Sequence, residues 1–291
     1  MVIDSYDNGT ITERILKKYD VRKLDFVCWT HPHVDHSQGI DTLIKGHFHD
    51  DIVIFVPKFY FGNLTKGVLA SESAQTKQIF DTIWKLVKKN SNYNKIWRSI
   101  SAFGDATNKY PMKLYTDEID KEVCFYFLTP LGSRTDKYAN KGNQFNKPNE
   151  LSISFVMSID GYDFYFGGDT ENEHAKGIDN EIVKNMRWIK VPHHCSLGAK
   201  SIADNLGPQL DFAASTVYQS SGLPKKSIQD IYANKSTLHM TQLDNTTHDY
   251  GIIQYNYHFG KIETKVDILT YGNAGQYQSV VCRTPADDED C

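Results

Sequence analysis

Apolar runs and helical stripes alternate along this chain. Leu24-Asp25-Phe26-Val27-Cys28-Trp29 is nearly unbroken apolar sequence and predicts a core strand. Residues 52–56 repeat the pattern and stop at Pro57. Between 71 and 90, Ile79, Phe80, Ile83, Trp84, Leu86 and Val87 recur at helical spacing with lysines opposite, which predicts a helix covering a sheet. Thr10-Ile11-Thr12-Glu13 has the spacing of a capping box and predicts a first helix, with Ile11, Ile15, Leu16 and Tyr19 on one face. A short helix is expected from Gly39, a strand over 123–128, and no clear element over 91–120. Residues 151–157 and 162–166 flank Asp160-Gly161, a strong hairpin signal because glycine accepts the positive φ of a tight turn. Further strands are expected at 188–191, 211–217, 236–241, 250–257 and 262–270, with a helix from about 224 to 232.

No repeat and no linker divides the pattern. It predicts a single domain over residues 1–275 and an acidic tail, 276–291, expected to be disordered. Strands come first with short helices between them, in two similar halves. That order predicts an α/β fold in which two sheets pack face to face with helices outside, a four-layer αββα sandwich. Residues 131–149 form the longest polar stretch. Its Arg134, Lys137, Lys141 and Lys147 suit an anion, and a merely solvated loop suits them equally.

Charge narrows the partners. The formal net charge is −4, so no long basic groove for nucleic acid is expected. A mildly acidic chain still binds phosphates where metal ions supply the positive charge. The 5 cysteines are widely spaced, without a Cys-x-x-Cys pair, so a structural zinc knuckle is not expected. Reduced thiols and a cytoplasmic location are. No apolar run reaches the roughly 18 residues of a membrane span, and Met1-Val2-Ile3-Asp4-Ser5 lacks the character of a signal peptide.

The candidate chemistry follows the first core strand. Thr30-His31-Pro32-His33-Val34-Asp35-His36 brings imidazoles and a carboxylate to one strand end, a donor set suited to Zn²⁺ or Mn²⁺. Two pairs this close, His31 with His33 and Asp35 with His36, suggest two ions. Gly167-Gly168-Asp169 ends a later strand, and Asp169 could hold one ion with each oxygen. Val191-Pro192-His193-His194 ends another. Adjacent side chains on a continuous strand face opposite ways and would rarely both reach one metal, whereas at a strand terminus either can. His193 is favoured as the ligand and His194 as a supporting or substrate-facing residue. The remaining histidines read as ordinary, with His248 the readiest to be recruited.

Together, Thr-His-Pro-His-x-Asp-His, Gly-Gly-Asp and Val-Pro-His-His-x-Ser resemble the metallo-β-lactamase superfamily over residues 1 to about 270. The chain is most similar to the branch related to the soluble hydrolase domain of bacterial competence (DNA-uptake) proteins, whose Asn-x-x-Ser before the Gly-Asp hairpin is matched by Asn149-Glu150-Leu151-Ser152. The resemblance implies a metallo-β-lactamase-like αββα sandwich and one or two divalent ions, Zn²⁺ or Mn²⁺. His31 and His33 would bind the first ion and Asp35 and His36 the second; Asp169 would bridge and His193 would complete one sphere. It implies a metal-dependent hydrolase, most often a phosphodiesterase or nuclease, using a metal-bound hydroxide that Asp35 would orient. His194 would serve the leaving oxygen. Phosphodiesters, nucleic acid or nucleotides are the expected partners, and no membrane.

Two departures are visible. The branch usually has Gly where Cys195 stands, and a further His where Ser220-Ser221-Gly222-Leu223-Pro224 places Leu223, so one site is expected to be weaker, to use His239 or His248 instead, or to be empty. The first N-terminal hairpin is expected to be short or absent, which would expose a sheet edge to a protein partner or a second copy. Two other readings carry weight: a lactone, thioester or β-lactam hydrolase on the same scaffold, and a degenerate, non-catalytic binding protein.

Overall fold

The computed structural model describes residues 1–58, 74–91, 93–107, 109–115, 120–133, 135, 148–243, 250–260 and 263–278. The polar stretch with Arg134, Lys137, Lys141 and Lys147, as well as His248 and the tail from 279 on, lie outside them. The protein is α/β, and its residues form two compact units interleaved along the sequence. The first comprises Met1–Asn108, Tyr126–Phe155 and Gly168–Thr170; the second comprises the rest.

The first unit begins with β1 (Val2–Ile3), α1 (Thr10–Lys18), β2 (Phe26–Cys28), α2 (Val34–Ser37) and α3 (Ile40–His47). It continues with β3 (Val53–Pro57), α4 (Ala74–Lys88), α5 (Tyr93–Ile96) and β4 (Trp97–Ile100). The four strands pair in parallel in chain order, with Val27 opposite Val2 and Ile54, and Ile54 opposite Trp97. Parallel strands covered by helices carry unbroken apolar sequence, which is why 24–29 and 52–56 were legible. The α4 stripe behaves as its spacing predicts. Ile79, Phe80, Ile83 and Val87 are buried in a core shared with Trp29, Ile44, Ile54 and Trp97.

The capping box at Thr10 does not form. Thr10 is the first helical residue, and Gly9 stands at the N-cap with φ 77° and no side-chain cap. Tertiary contact dictates this entry: a Cβ on Gly39 (φ 83°) would meet Asn8 C at 2.0 Å and Gly9 N at 2.1 Å. The turn after β1 therefore crosses directly over the residue that opens α3.

The second unit carries β5 (Lys109–Tyr115), β6 (Asp120–Thr129), β7 (Ser154–Ile159), β8 (Tyr162–Phe166) and β9 (Trp188–Lys190). These are followed by β10 (Phe212–Ser215), β11 (Thr237–Met240), β12 (Ile252–Phe259), β13 (Thr264–Tyr271) and β14 (Gly275–Gln276). Eight of them form one sheet, in the order β14-β11-β10-β9-β8-β7-β6-β5; the end of β6 from Tyr126 and the start of β7 to Phe155 count with the first unit. Strands β8 to β11 run parallel in sequence order. The Asp160-Gly161 turn has φ 51° and 75°, as a tight hairpin requires.

Strands β12 and β13 form a separate antiparallel ribbon. Alternation places Tyr255, Tyr257 and Phe259 on one face, against Tyr162, Phe164 and Trp188. Phe164 and Tyr257 lie edge to face at 4.7 Å, and Trp188 and Tyr255 at 5.7 Å. Each such pair contributes about 0.5–1.5 kcal/mol beyond its buried area.

His239 on β11 belongs to this packing. It is buried, its Nδ1 is 2.9 Å from the Tyr255 hydroxyl, and burial holds its pKa below the ordinary imidazole value. The folded state therefore binds fewer protons than the unfolded chain. Its contribution is complete above the unfolded imidazole pKa of about 6.5 and is lost as pH falls below it. Thermal melts from pH 8 to 5 should show an acid-side loss of stability that His239→Gln reduces. An unchanged pH profile in that variant would exclude His239 as its source.

Among the described residues, no helix is long and apolar enough to cross a membrane.

Candidate metal centre

The first unit gathers five of the predicted residues. Strand β2 ends at Cys28, and the fully buried Trp29 follows it, its indole Nε1 donating to Ser37 Oγ at 3.0 Å. Ser37 Oγ in turn donates to the His33 carbonyl. This tether folds Thr30–Ser37 back over the strand end, with His33 at the N-cap of α2 and Asp35 and His36 inside it. Extended sequence becomes helix within six residues, so the ligand atoms converge instead of alternating.

Asp169 lies between the histidines. His31, His36 and Asp169 are all buried, and their ligand atoms lie within 4.8 Å of one another. His31 Nε2 is 3.0 Å from His33 Nδ1 and 3.7 Å from Asp169 Oδ2. His36 Nε2 is 3.2 Å from Asp169 Oδ1 and 3.6 Å from Asp35 Oδ2. With metal–ligand bonds of about 2.0–2.2 Å, ligand atoms at tetrahedral angles stand roughly 3.3–3.6 Å apart. The observed separations, 3.0, 3.2, 3.6 and 3.7 Å, scatter around that spacing, and His31 and His36 approach different oxygens of Asp169. Of these donors, His31, His36 and Asp169 lie close enough together to hold a divalent ion.

Electrostatics agree. Burial alone would lower the pKa of His36, but the Asp169 and Asp4 carboxylates outweigh it and hold the imidazole well above its ordinary value. The field at Nε2 is strongly negative, the environment in which a cation is bound.

Asp4 and Thr30 were not singled out from sequence. Asp4 Oδ2 is 2.7 Å from His36 Nδ1 and accepts from Thr30 Oγ1 at 2.7 Å, while Oδ1 accepts from the Thr30 backbone N–H at 2.7 Å. Thr30 Oγ1 is also 3.0 Å from His31 Nδ1. One carboxylate thus orients both rings through the nitrogens facing away from Asp169. Metal-binding histidines commonly use such a partner, and its loss costs about 10–100-fold in metal affinity. Asp4→Asn is expected to weaken Zn²⁺ binding by that factor in a competition titration against a chromophoric chelator; unchanged affinity would deny Asp4 this role. The signal was present as an Asp just past β1, but only the pairing of β1 with β2 brings it to the site.

Asp169 is placed by its backbone. Its N–H donates to Ser152 Oγ at 2.7 Å, and Gly168 has φ 50°. A Cβ on Gly168 would lie 2.4 Å from Ser152 Oγ and 2.7 Å from the Ile153 carbonyl. The Asn149-x-x-Ser152 spacing thus acquires a physical role, since Ser152 seats the carboxylate-bearing turn. Thr129 Oγ1 donates to the Ser152 carbonyl at 2.7 Å and extends the buried hydroxyl network to Ser154 and Thr170.

His193 and His194 belong to the second unit, just past β9. With Cys195 they form three consecutive residues of positive φ, 44°, 50° and 58°. Each left-handed non-glycine residue costs about 1–2 kcal/mol. The backbone turns here, so strand alternation does not govern the two histidines. His193 Nδ1 is 3.1 Å from Glu171 Oε1. His194 is buried, with Nδ1 2.8 Å from Thr216 Oγ1 and its ring 5.4 Å from that of Tyr218. Glu171 and Thr216 are further supports that sequence reading missed. Leu223 is buried and pairs through its backbone with Tyr218.

The ordinary histidines have structural partners. His47 Nε2 meets Glu13 at 2.9 Å, His49 Nε2 meets the Leu24 carbonyl at 3.1 Å, and His258 meets Asp267 at 3.0 Å. His174 is buried within α6 (Asn172–Ala175).

No protein-family model matches the chain, and no curated protein matches it in sequence.

Proposed function

We propose that this protein is a metal-dependent hydrolase of phosphodiesters, built on the four-layer frame of the metallo-β-lactamase superfamily. The observation that carries the reading is the buried group of His31, His36 and Asp169, flanked by His33 at 3.0 Å from His31 and Asp35 at 3.6 Å from His36. The parallel sheet β1 to β4 supports the frame, as do the rings of Phe26 and Phe55 packed on Phe155 and Phe127 at 5.8 and 4.7 Å. Free, buried Cys28, Cys124 and Cys195 support a reducing, cytoplasmic setting.

His31, His33 and one oxygen of Asp169 would hold the first ion; Asp35, His36 and the other oxygen would hold the second. Imidazole nitrogen and carboxylate oxygen suit Zn²⁺ and Mn²⁺. When bound, such ions supply Lewis acidity toward phosphoryl oxygens and lower the pKa of coordinated water to about 7. Asp4 and Thr30 keep the rings aimed. Asp35, beside His36, would orient the attacking water. In the second unit His194 is braced by Thr216.

Protein produced with Zn²⁺ or Mn²⁺ should carry more than one ion per chain by mass spectrometry and cleave bis-p-nitrophenyl phosphate. Less than one ion per chain would favour a binding protein without catalysis. Cleavage of lactones or thioesters without cleavage of phosphodiesters would overturn the substrate class.

A further inference from the structure

Thr30 stands between Asp4 and the His31 ring, and both ends of that contact are fixed. Thr30 is 1% exposed. Its backbone N–H donates to Asp4 Oδ1 at 2.7 Å, and its carbonyl accepts from the Ile153 N–H at 3.0 Å. A Cβ on Gly168 would come within 3.3 Å of Thr30 Cβ, so the threonine packs against the turn that carries Asp169. Asp4 is held as well: its N–H donates to the Cys28 carbonyl at 2.9 Å, from a left-handed backbone with φ 54°.

The Thr30 hydroxyl has one hydrogen to give and two lone pairs with which to receive. An ionised carboxylate only accepts, and Asp4 Oδ2 lies 2.7 Å away, so the hydrogen goes there. His31 Nδ1 is 3.0 Å from the same hydroxyl oxygen. Toward it the hydroxyl has only a lone pair left, so Nδ1 must carry a hydrogen. In a neutral imidazole the other nitrogen is then bare. That nitrogen, Nε2, is the atom 3.7 Å from Asp169 Oδ2 and 3.0 Å from His33 Nδ1.

The reverse arrangement is disfavoured. If the hydroxyl turned its hydrogen to Nδ1, its oxygen would face a carboxylate oxygen at 2.7 Å with no hydrogen between them. Hydrogen bonds to an ionised acceptor are roughly twice as strong as neutral ones, so the carboxylate keeps the hydrogen. If Nδ1 were bare instead, two lone pairs would meet at 3.0 Å in a buried place. A free histidine in water favours the Nε2–H form. The protein has to select against it, and the Thr30 hydroxyl does so.

We propose that Thr30 is a positioning residue that sets which nitrogen of His31 is offered to an ion. It relays the Asp4 carboxylate to His31, while Asp4 Oδ2 meets His36 Nδ1 directly at 2.7 Å. One carboxylate thereby addresses two candidate ligands, the second through a hydroxyl. The hydrogen bond at one ring nitrogen decides which nitrogen is free for a metal, and it raises the basicity of that nitrogen. This role rests on the metal reading above and not on hydrolysis.

The test uses the full chain, first in excess chelator and then with Zn²⁺. Long-range proton–nitrogen correlation spectra separate Nδ1–H from Nε2–H rings, and the His31 signals are assigned by their loss in His31→Gln. Wild-type protein and Thr30→Ser should show His31 as Nδ1–H. Thr30→Val, which keeps the shape and removes the hydroxyl, should show Nε2–H. Zn²⁺ affinity, by competition against a chromophoric chelator, should fall about 10–100-fold in Thr30→Val and return to the wild-type range in Thr30→Ser. An Nε2–H ring at His31 in the wild-type protein would overturn the proposal, whether or not Thr30→Val folds. So would an Nδ1–H ring or unchanged affinity in folded Thr30→Val, or a Thr30→Ser protein that behaves like Thr30→Val. Wild-type protein that shows the Nδ1–H ring and binds no Zn²⁺ would overturn the metal reading instead, with the hydrogen still placed by Thr30.

Discussion

Asp169→Asn protein should fold, lose metal and lose hydrolysis. The variant keeps the shape of the side chain and the backbone N–H that donates to Ser152, so the Gly168 turn stays seated. It removes the charge between His31 and His36 and replaces one of the two oxygens facing them with an amide nitrogen. Each set then has an amide, a weak ligand, in place of a carboxylate. Metal-centred charge stabilisation is worth several kcal/mol, so phosphodiester cleavage should fall by roughly 10³-fold or more. Metal content should fall in parallel, from more than one ion per chain to less than one. Near-wild-type activity in a variant with a native circular dichroism spectrum would sink the assignment of Asp169. The double variant with His33→Ala should be little worse than the single one, because ligands of one centre fail together.

The largest effect on stability is expected at Trp29. Its side chain is fully buried, contacts Phe80 at 6.1 Å between ring centroids, and anchors Ser37. Trp29→Ala removes that volume from the middle of the first unit's core. Such truncations cost about 3–5 kcal/mol, a large part of the 5–15 kcal/mol that holds a typical domain folded. Urea denaturation should show a midpoint shift of corresponding size. Trp29→Phe fills most of the space but loses the indole N–H, so it should cost less and still loosen the tether to Ser37. A fall in metal affinity in Trp29→Phe larger than its fall in stability would show that the tether positions the ligands. Loss of stability without loss of affinity would reduce Trp29 to packing.

The fold was legible where burial imposes a period. Runs at 24–29 and 52–56 are covered on both faces and read as parallel strands. The α4 stripe and the Asp160-Gly161 turn carry patterns that one local conformation satisfies best. Residues 91–120 were not legible because β4 is half polar: Trp97 is buried while Arg98 and Ser99 are exposed. The capping box failed because Gly9 meets Gly39 across the chain, a contact no local spacing encodes.

The candidate ligands were legible for a chemical reason. Imidazoles and carboxylates clustered at the ends of apolar strands are costly to bury without partners, so His31, His33, Asp35, His36 and Asp169 stand out in the sequence. Their arrangement did not. Asp4 reaches His36 across a strand pair, Ser152 seats Asp169 from another loop, and Glu171 and Thr216 brace a left-handed turn whose adjacent histidines no longer alternate. The sequence by itself determined which side chains are chemically capable and which segments carry periodic burial, because both are local properties of residue type and spacing. Only the tertiary structure decided which atoms meet, on which oxygen of Asp169, and with which supports. Such contacts join residues tens of positions apart, and their geometry is set by the packing of sheets and turns.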